Sequence, residues 1–90
     1  MIQVRYLRSF DESMKALHPK DRQKAVRAVS RLLDYFSEGP KPIGLGLRKL
    51  RGNYWEIRFS LEKRVLFLLE GGLLTFVIAG SHDEIRRKIG

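Results

Sequence analysis

Apolar positions along this 90-residue chain recur with two different periods. Ile2, Val4 and Tyr6 alternate with Gln3 and Arg5, the period of two expected of a strand over residues 2–7. Phe10, Met14 and Leu17 then take up helical spacing, with Ser9 or Asp11 as the capping residue, so a short helix runs to about residue 17. His18-Pro19 breaks it. A second helix is predicted over about 19–38, because Ala25, Val29, Leu32 and Phe36 fall at i, i+4, i+7 and i+11, and Val26 and Leu33 widen the stripe. Gly39-Pro40 ends that helix, and GPKPIGLG (39–46) reads as a connector inside one domain spanning 1–90. The period then returns to two, giving strands over about 47–51, 54–60, 64–70 and 73–79. Gly52-Asn53 and Gly71-Gly72 have the composition of two-residue hairpin turns. A short helical turn is expected over 82–89. The order β-α-α-β-β-β-β describes an α+β domain with two helices packed on one face of a mostly antiparallel sheet.

Alternation also assigns faces. Trp55, Ile57 and Phe59 share the core side of their strand; Tyr54, Glu56, Arg58 and Ser60 share the other. The next strand is apolar on both sides, so its register rests on Arg64. A two-residue loop at Leu61-Glu62 would drive that guanidinium into the core, at a cost of several kcal/mol if unpaired. A three-residue loop, Leu61-Glu62-Lys63, pairs Ser60 with Arg64 and Arg58 with Leu66, and leaves Val65, Phe67 and Leu69 for the core. In that register Glu56 lies about 13 Å along the sheet from the Arg64 row. The Gly71-Gly72 turn then pairs Glu70 with Leu73, Leu66 with Val77 and Arg64 with Ala79, which brings His82 near Arg64. Leu66, Leu68 and Val77 form an apolar floor on this helix-free face, to be covered by a partner segment or by the C-terminal turn.

Charge alters the picture more than composition does. Eighteen Lys and Arg against ten Asp and Glu give +8 and a pI near 10.3. The excess is distributed, 8 basic to 5 acidic over residues 1–38 and 10 to 5 over 39–90, so it belongs to the folded body rather than to a tail. Such a domain meets nucleic acid or an acidic protein, unless the charge serves solubility alone. A membrane surface is disfavoured, since no helix combines a basic face with large exposed aromatics. The row Lys20, Lys24, Arg27, Arg31 is either a solvated helix face or a track for phosphates or an acidic partner. The absence of cysteine removes disulfides and thiolate chemistry. No apolar run approaches the roughly 20 residues of a membrane span, and no signal peptide is evident, so a cytoplasmic location is expected.

Metal hydrolysis has little to stand on, with His18 and His82 far apart and no paired carboxylates beside them. No cofactor is implied; GLGLRK (44–49) lacks the strand-turn-helix setting of a phosphate loop. What remains suits metal-free RNA cleavage, in which a ribose 2′-hydroxyl attacks its own phosphate. Arg58 and Arg64 supply cations of bidentate geometry, and His82 supplies an imidazole that exchanges protons near neutral pH; Glu56 is a second acid–base group. The competing reading makes the arginines surface cross-strand charges and His82 a loop or cap residue.

LRKLRGNYWEIRF, KRVLFLL and FVIAGSHDEI together resemble the RelE/ParE superfamily of bacterial and archaeal toxins, in its RelE- and HigB-like branch. The family pattern is Leu-(Lys/Arg)-Gly before a Trp/Tyr strand, a Tyr-Arg-Val/Leu-x-Tyr strand, where this chain has Lys63-Arg64-Val65-Leu66-Phe67, and a Gly-x-(Arg/His) ending the last strand. The resemblance spans essentially the whole chain. It implies ribosome-dependent, metal-free cleavage of mRNA, held off by a cognate antitoxin. Arg58 then matches a phosphate-stabilising cation, Arg64 the central catalytic arginine and His82 the acid, while Glu56 stands where some members carry lysine. Arg48, Lys49, Arg51 and Tyr54, with Arg86, Arg87 and Lys88, become RNA-binding residues. The base-stacking tyrosine many members carry near the C-terminus has no counterpart beside Arg86–Lys88; Tyr54 or Trp55 would substitute. Two other activities within the resemblance are poisoning of DNA gyrase, as in ParE-like members, and inactive antitoxin binding.

Overall fold

A computed structural model describes residues 2–37, 39 and 43–90. The elements are β1 (Gln3–Tyr6), α1 (Arg8–Ala16), α2 (Pro19–Ser37), β2 (Arg48–Lys49), β3 (Tyr54–Arg58), β4 (Lys63–Glu70), β5 (Leu73–Ser81) and α3 (His82–Ile89). The five strands form one sheet in the order β1-β5-β4-β3-β2, antiparallel except for β1 beside β5. The expected order of elements holds, and the last of them is a full eight-residue helix. The Pro40 end of the second helix and residues 40–42 of the connector lie outside the described residues. Among the described residues no helix is long and apolar enough to cross a membrane.

Alternation works where the sheet is flanked on both sides. Ile57, Val65, Phe67, Leu74 and Phe76 point to one face and meet Phe10 and Leu17 together with Ala25, Ala28, Val29 and Leu32 of α2. Leu66 and Val77 point the other way and are sealed by Ile85, with Ile89, Tyr54 and Leu68 around them. The face expected to be free of helices is therefore roofed by α3, the second of the two covers anticipated for it. The α2 stripe needs one correction: Val26 is 54% exposed, and Ala28 takes the buried position instead. Ser9 and Asp11 do not cap α1 either, since its N-cap is Leu7 without a side-chain bond.

Ser9 is spent elsewhere. β1 stops pairing with β5 at Tyr6↔Phe76, leaving the rest of that β5 edge without a strand. One turn apart on α1, Ser9 Oγ donates to Val77 O (2.6 Å), and Ser13 Oγ accepts from the Ala79 N–H (2.9 Å) while donating to Phe10 O. Two hydroxyls thus continue the ladder where the strand runs out. Arg22 of α2 closes the other end of α1, donating to the carbonyls of Met14, Lys15 and Leu17.

Three registers differ from expectation. The Arg51-Gly52-Asn53 turn holds three residues rather than two, since Leu50 N–H donates to Tyr54 O, and Gly52 sits at φ +60. β3 and β4 pair Arg58↔Arg64 and Glu56↔Leu66, two residues away from the predicted register. Phe59 N–H donates to Lys63 O, so the loop is Ser60-Leu61-Glu62. The length of three is as expected but the position is not, and because the slip is even, every side chain keeps its face. In β4–β5, Glu70↔Leu73 is met, but a bulge leaves Val77 unpaired, and Leu66 faces Ile78 and Arg64 faces Gly80. Gly71 and Gly72, at φ +55 and +81, form the expected two-residue turn.

Candidate functional site

The β3–β4 register decides the site. Arg64 now stands beside Arg58 on one side and Gly80 on the other, with Glu56 two residues up β3. Glu56 Oε2 lies 3.6 Å from Arg64 Nε, with the two side chains only 5% and 13% exposed. Glu56 is therefore neither remote from Arg64 nor a surface charge: it is the buried counter-ion of that arginine. Arg64 Nη1 also donates to Ser60 O, Leu61 O and Lys63 O at 3.1–3.3 Å. The guanidinium is clamped by the loop it terminates, and its carboxylate partner sets its direction along the sheet.

His82 arrives through a different device. Ser81 caps α3 with a reciprocal pair of bonds, Ser81 Oγ accepting from Glu84 N–H and Glu84 Oε1 from Ser81 N–H. His82 is the first residue inside that cap, and its N–H donates to Glu62 O (3.2 Å), tying it to the β3–β4 loop. Gly80 makes room for the arrangement, because a Cβ there would meet the Glu84 carboxyl at 3.0 Å. The Glu84 carboxyl is held below its ordinary value of 4.5, first by the Ser81 backbone N–H; burial opposes the shift, and the Ser81 hydroxyl, Lys63 and Arg87 add to it.

Arg64 and His82, with Leu61, Glu62, Ser81 and Asp83, line a pocket of about 290 Å³. Arg58 does not open into it. It is exposed and lines a second cleft, with Lys24, Arg27 and Arg31 of α2. Gly46 keeps the connector against it: its φ is +65, and a Cβ there would stand 2.9 Å from Arg58 Cβ. In the sequence the α2 row and Arg58 stand apart, and no local pattern announces that the connector brings them together.

The other predicted contacts are scattered. Arg48 and Lys49 are exposed on the edge strand β2, Arg48 opposite Glu56. Arg51 donates to Gly90 O, and Tyr54 is half-buried beneath α3. Arg86, Arg87 and Lys88 are exposed on α3. Trp55, the expected core residue, packs against the core while half-buried.

An antiparallel sheet with one parallel edge strand, an α1–α2 layer below and a C-terminal helix above is a fold shared with solved toxin structures. The likeness extends to YafQ from E. coli (TM-score 0.70, 17% identity, 94% of this chain and 98% of that one). RelE in the RelB-RelE antitoxin-toxin complex from Methanococcus jannaschii superimposes with a TM-score of 0.71 at 16% identity, over 96% and 99% of the two chains. YoeB from Staphylococcus aureus, a dimer, gives 0.65 at 20% over 90% and 97%. Comparison with family models and with curated sequences gives no match.

Proposed function

We propose that this chain is the toxin of a toxin–antitoxin pair and acts in the cytoplasm as a metal-free endoribonuclease on mRNA being translated by the ribosome. The observation that carries the reading is the meeting of Arg64 and His82 in one pocket. Cleavage through the 2′-oxygen builds a crowded, doubly charged phosphorane, and a guanidinium already oriented by three carbonyl acceptors and the Glu56 carboxylate stabilises it without reorganising. His82, at the pocket wall, protonates the departing 5′-oxygen. Glu56 is buried and paired with Arg64, so its role here is to aim that arginine rather than to exchange a proton with the substrate. The carboxylates lining the pocket are Glu62 and Asp83, and these are the groups available to accept the 2′-hydroxyl proton.

Arg58, across the strand pair from Arg64, binds an adjacent phosphate. Arg48, Lys49 and Arg51 at one end of the sheet, with Arg86, Arg87 and Lys88 on α3, hold the wider RNA surface by charge; half-buried Tyr54 lies between these groups. An acidic antitoxin is the expected partner. The complexes of RelE with RelB and of E. coli YafQ with DinJ, in which chains of this fold are bound by antitoxins, support that expectation.

The test is a translation extract programmed with one mRNA, with 5′ ends mapped for wild type, Arg64→Ala and His82→Ala. New 5′ ends within the translated region are expected from the wild type, and a loss of about 100-fold or more from each variant. Intact translated mRNA together with inhibited DNA supercoiling would replace the nuclease by a gyrase poison. Unchanged cleavage by both variants would move the site elsewhere.

A further inference from the structure

The pocket at Arg64 leaves the basic row of α2 without a task. Lys24, Arg27 and Arg31 fall at i, i+3 and i+7 on one face of that helix, and with Arg58 they line a cleft of about 330 Å³. Its floor is small or buried: Ala28 is 5% and Leu45 1% exposed. Among the described residues no acidic side chain lines it, and the ion pairs there involve none of the four cations. Four positive groups thus line one cleft with no counter-charge among the described residues, an arrangement that favours a bound anion. Among the described residues only Arg31 is committed, donating to Ile43 O at the connector.

The cleft and the pocket share no lining residue but meet along one loop. Ser60 lines the cleft and its carbonyl accepts from Arg64 Nη1, and the next residue, Leu61, lines the pocket. Arg58 and Arg64 are direct cross-strand partners, with Cα atoms about 5 Å apart. From Lys24 to Arg31 the helix runs about 10 Å, the axial span of about three nucleotides of a stacked strand. An acidic peptide would need exposed apolar anchors for affinity, whereas the apolar lining here is buried; a phosphate chain needs only the charges.

We infer that this cleft binds the phosphate backbone of single-stranded RNA leaving the Arg64 pocket, past Arg58 and along α2. The inference deepens the nuclease reading and rests on it. It is tested by fluorescence anisotropy with a short labelled RNA carrying 2′-O-methyl groups, which cannot be cut by its own 2′-oxygen, titrated over about 50–200 mM salt. The variants are Lys24→Gln/Arg27→Gln, both exposed and free of hydrogen bonds among the described residues, and the charge-matched Arg5→Gln/Lys15→Gln. The first is expected to weaken binding about tenfold and to make the slope of log K against log salt shallower by about 1.4, two phosphates at about 0.7 each; the second should leave the slope unchanged. Equal losses in both variants, or a wild-type slope in the first, would overturn the inference. So would displacement by a poly-glutamate peptide from a protein that does not hold RNA, which would assign the cleft to an acidic partner. If the wild type fails to cut translated mRNA while the contrast between variants stands, the nuclease reading falls and the cleft remains an RNA site.

Discussion

At the scale of single residues, the Glu56–Arg64 pair is the arrangement on which the rest of the site depends. Its charges are too buried to be exchanged freely for neutral groups, yet the guanidinium has backbone acceptors besides. Glu56→Gln should therefore cost about 1–3 kcal/mol in urea unfolding, less than a fully orphaned buried charge. The double variant Glu56→Gln/Arg64→Met should recover most of that loss while remaining inactive, which separates stability from catalysis; a double variant as unstable as the single would deny the ion pair its role. Glu84 yields a prediction in pH. Its carboxyl is lowered in the folded state, so the stability it contributes is complete above the ordinary value of 4.5 and fades as the pH falls through the lowered one. Wild type should lose more stability than Glu84→Gln between pH 7 and about pH 3, measured by urea midpoints at each pH. Parallel losses would remove the cap from the explanation.

At the scale of elements, α3 is held by little more than Ile85 and Ile89 on a floor of Leu66, Val77 and Ile78. Ile85→Ala should cost about 2–4 kcal/mol and raise dye binding to exposed apolar surface at temperatures where the remaining fold is intact. A cooperative loss of the whole fold with no such intermediate would make α3 part of a single unit. Most elements were legible in the sequence because strict periods report burial: α2 and the core faces of β3 and β4 were correct to within a residue or two. The misses have physical causes. Val26 satisfies helical spacing but stands at the edge of the stripe, 54% exposed, where Ala28 takes the buried place. Ser9 has the composition of a cap and is drawn instead to a strand edge that no local pattern announces. The loop after β3 was placed by asking only which side Arg64 faced, and two registers differing by two residues answer that identically. The Glu56 contact was lost through that degeneracy, and so was the true setting of Arg58.

For the molecule as a whole, the +8 charge is carried on a body of only 12.0 Å radius of gyration. Self-repulsion across such distances is comparable with the screening length of physiological salt, about 8 Å, so added salt should stabilise the free protein. The melting temperature is expected to rise by several degrees between about 10 and 150 mM sodium chloride in calorimetry, and a fall would mean that attractive pairs dominate.

The bulge in β5 has a further consequence. Even-numbered residues Leu74 and Phe76 face the α1–α2 core before it, and odd-numbered Ala79 faces that core after it. Val77 is thus the one position in the strand that the pairing with β4 does not count. Deleting it would leave Phe67↔Phe76 and Leu66↔Ile78 as neighbours and preserve every later partner, Arg64 and Gly80 included. Elsewhere in the sheet a missing residue would turn the remainder of its strand inside out. Here the chain carries a spare link, and its removal would be felt in the grip of Ser9 and in the roof under Ile85 rather than in the alignment of the site.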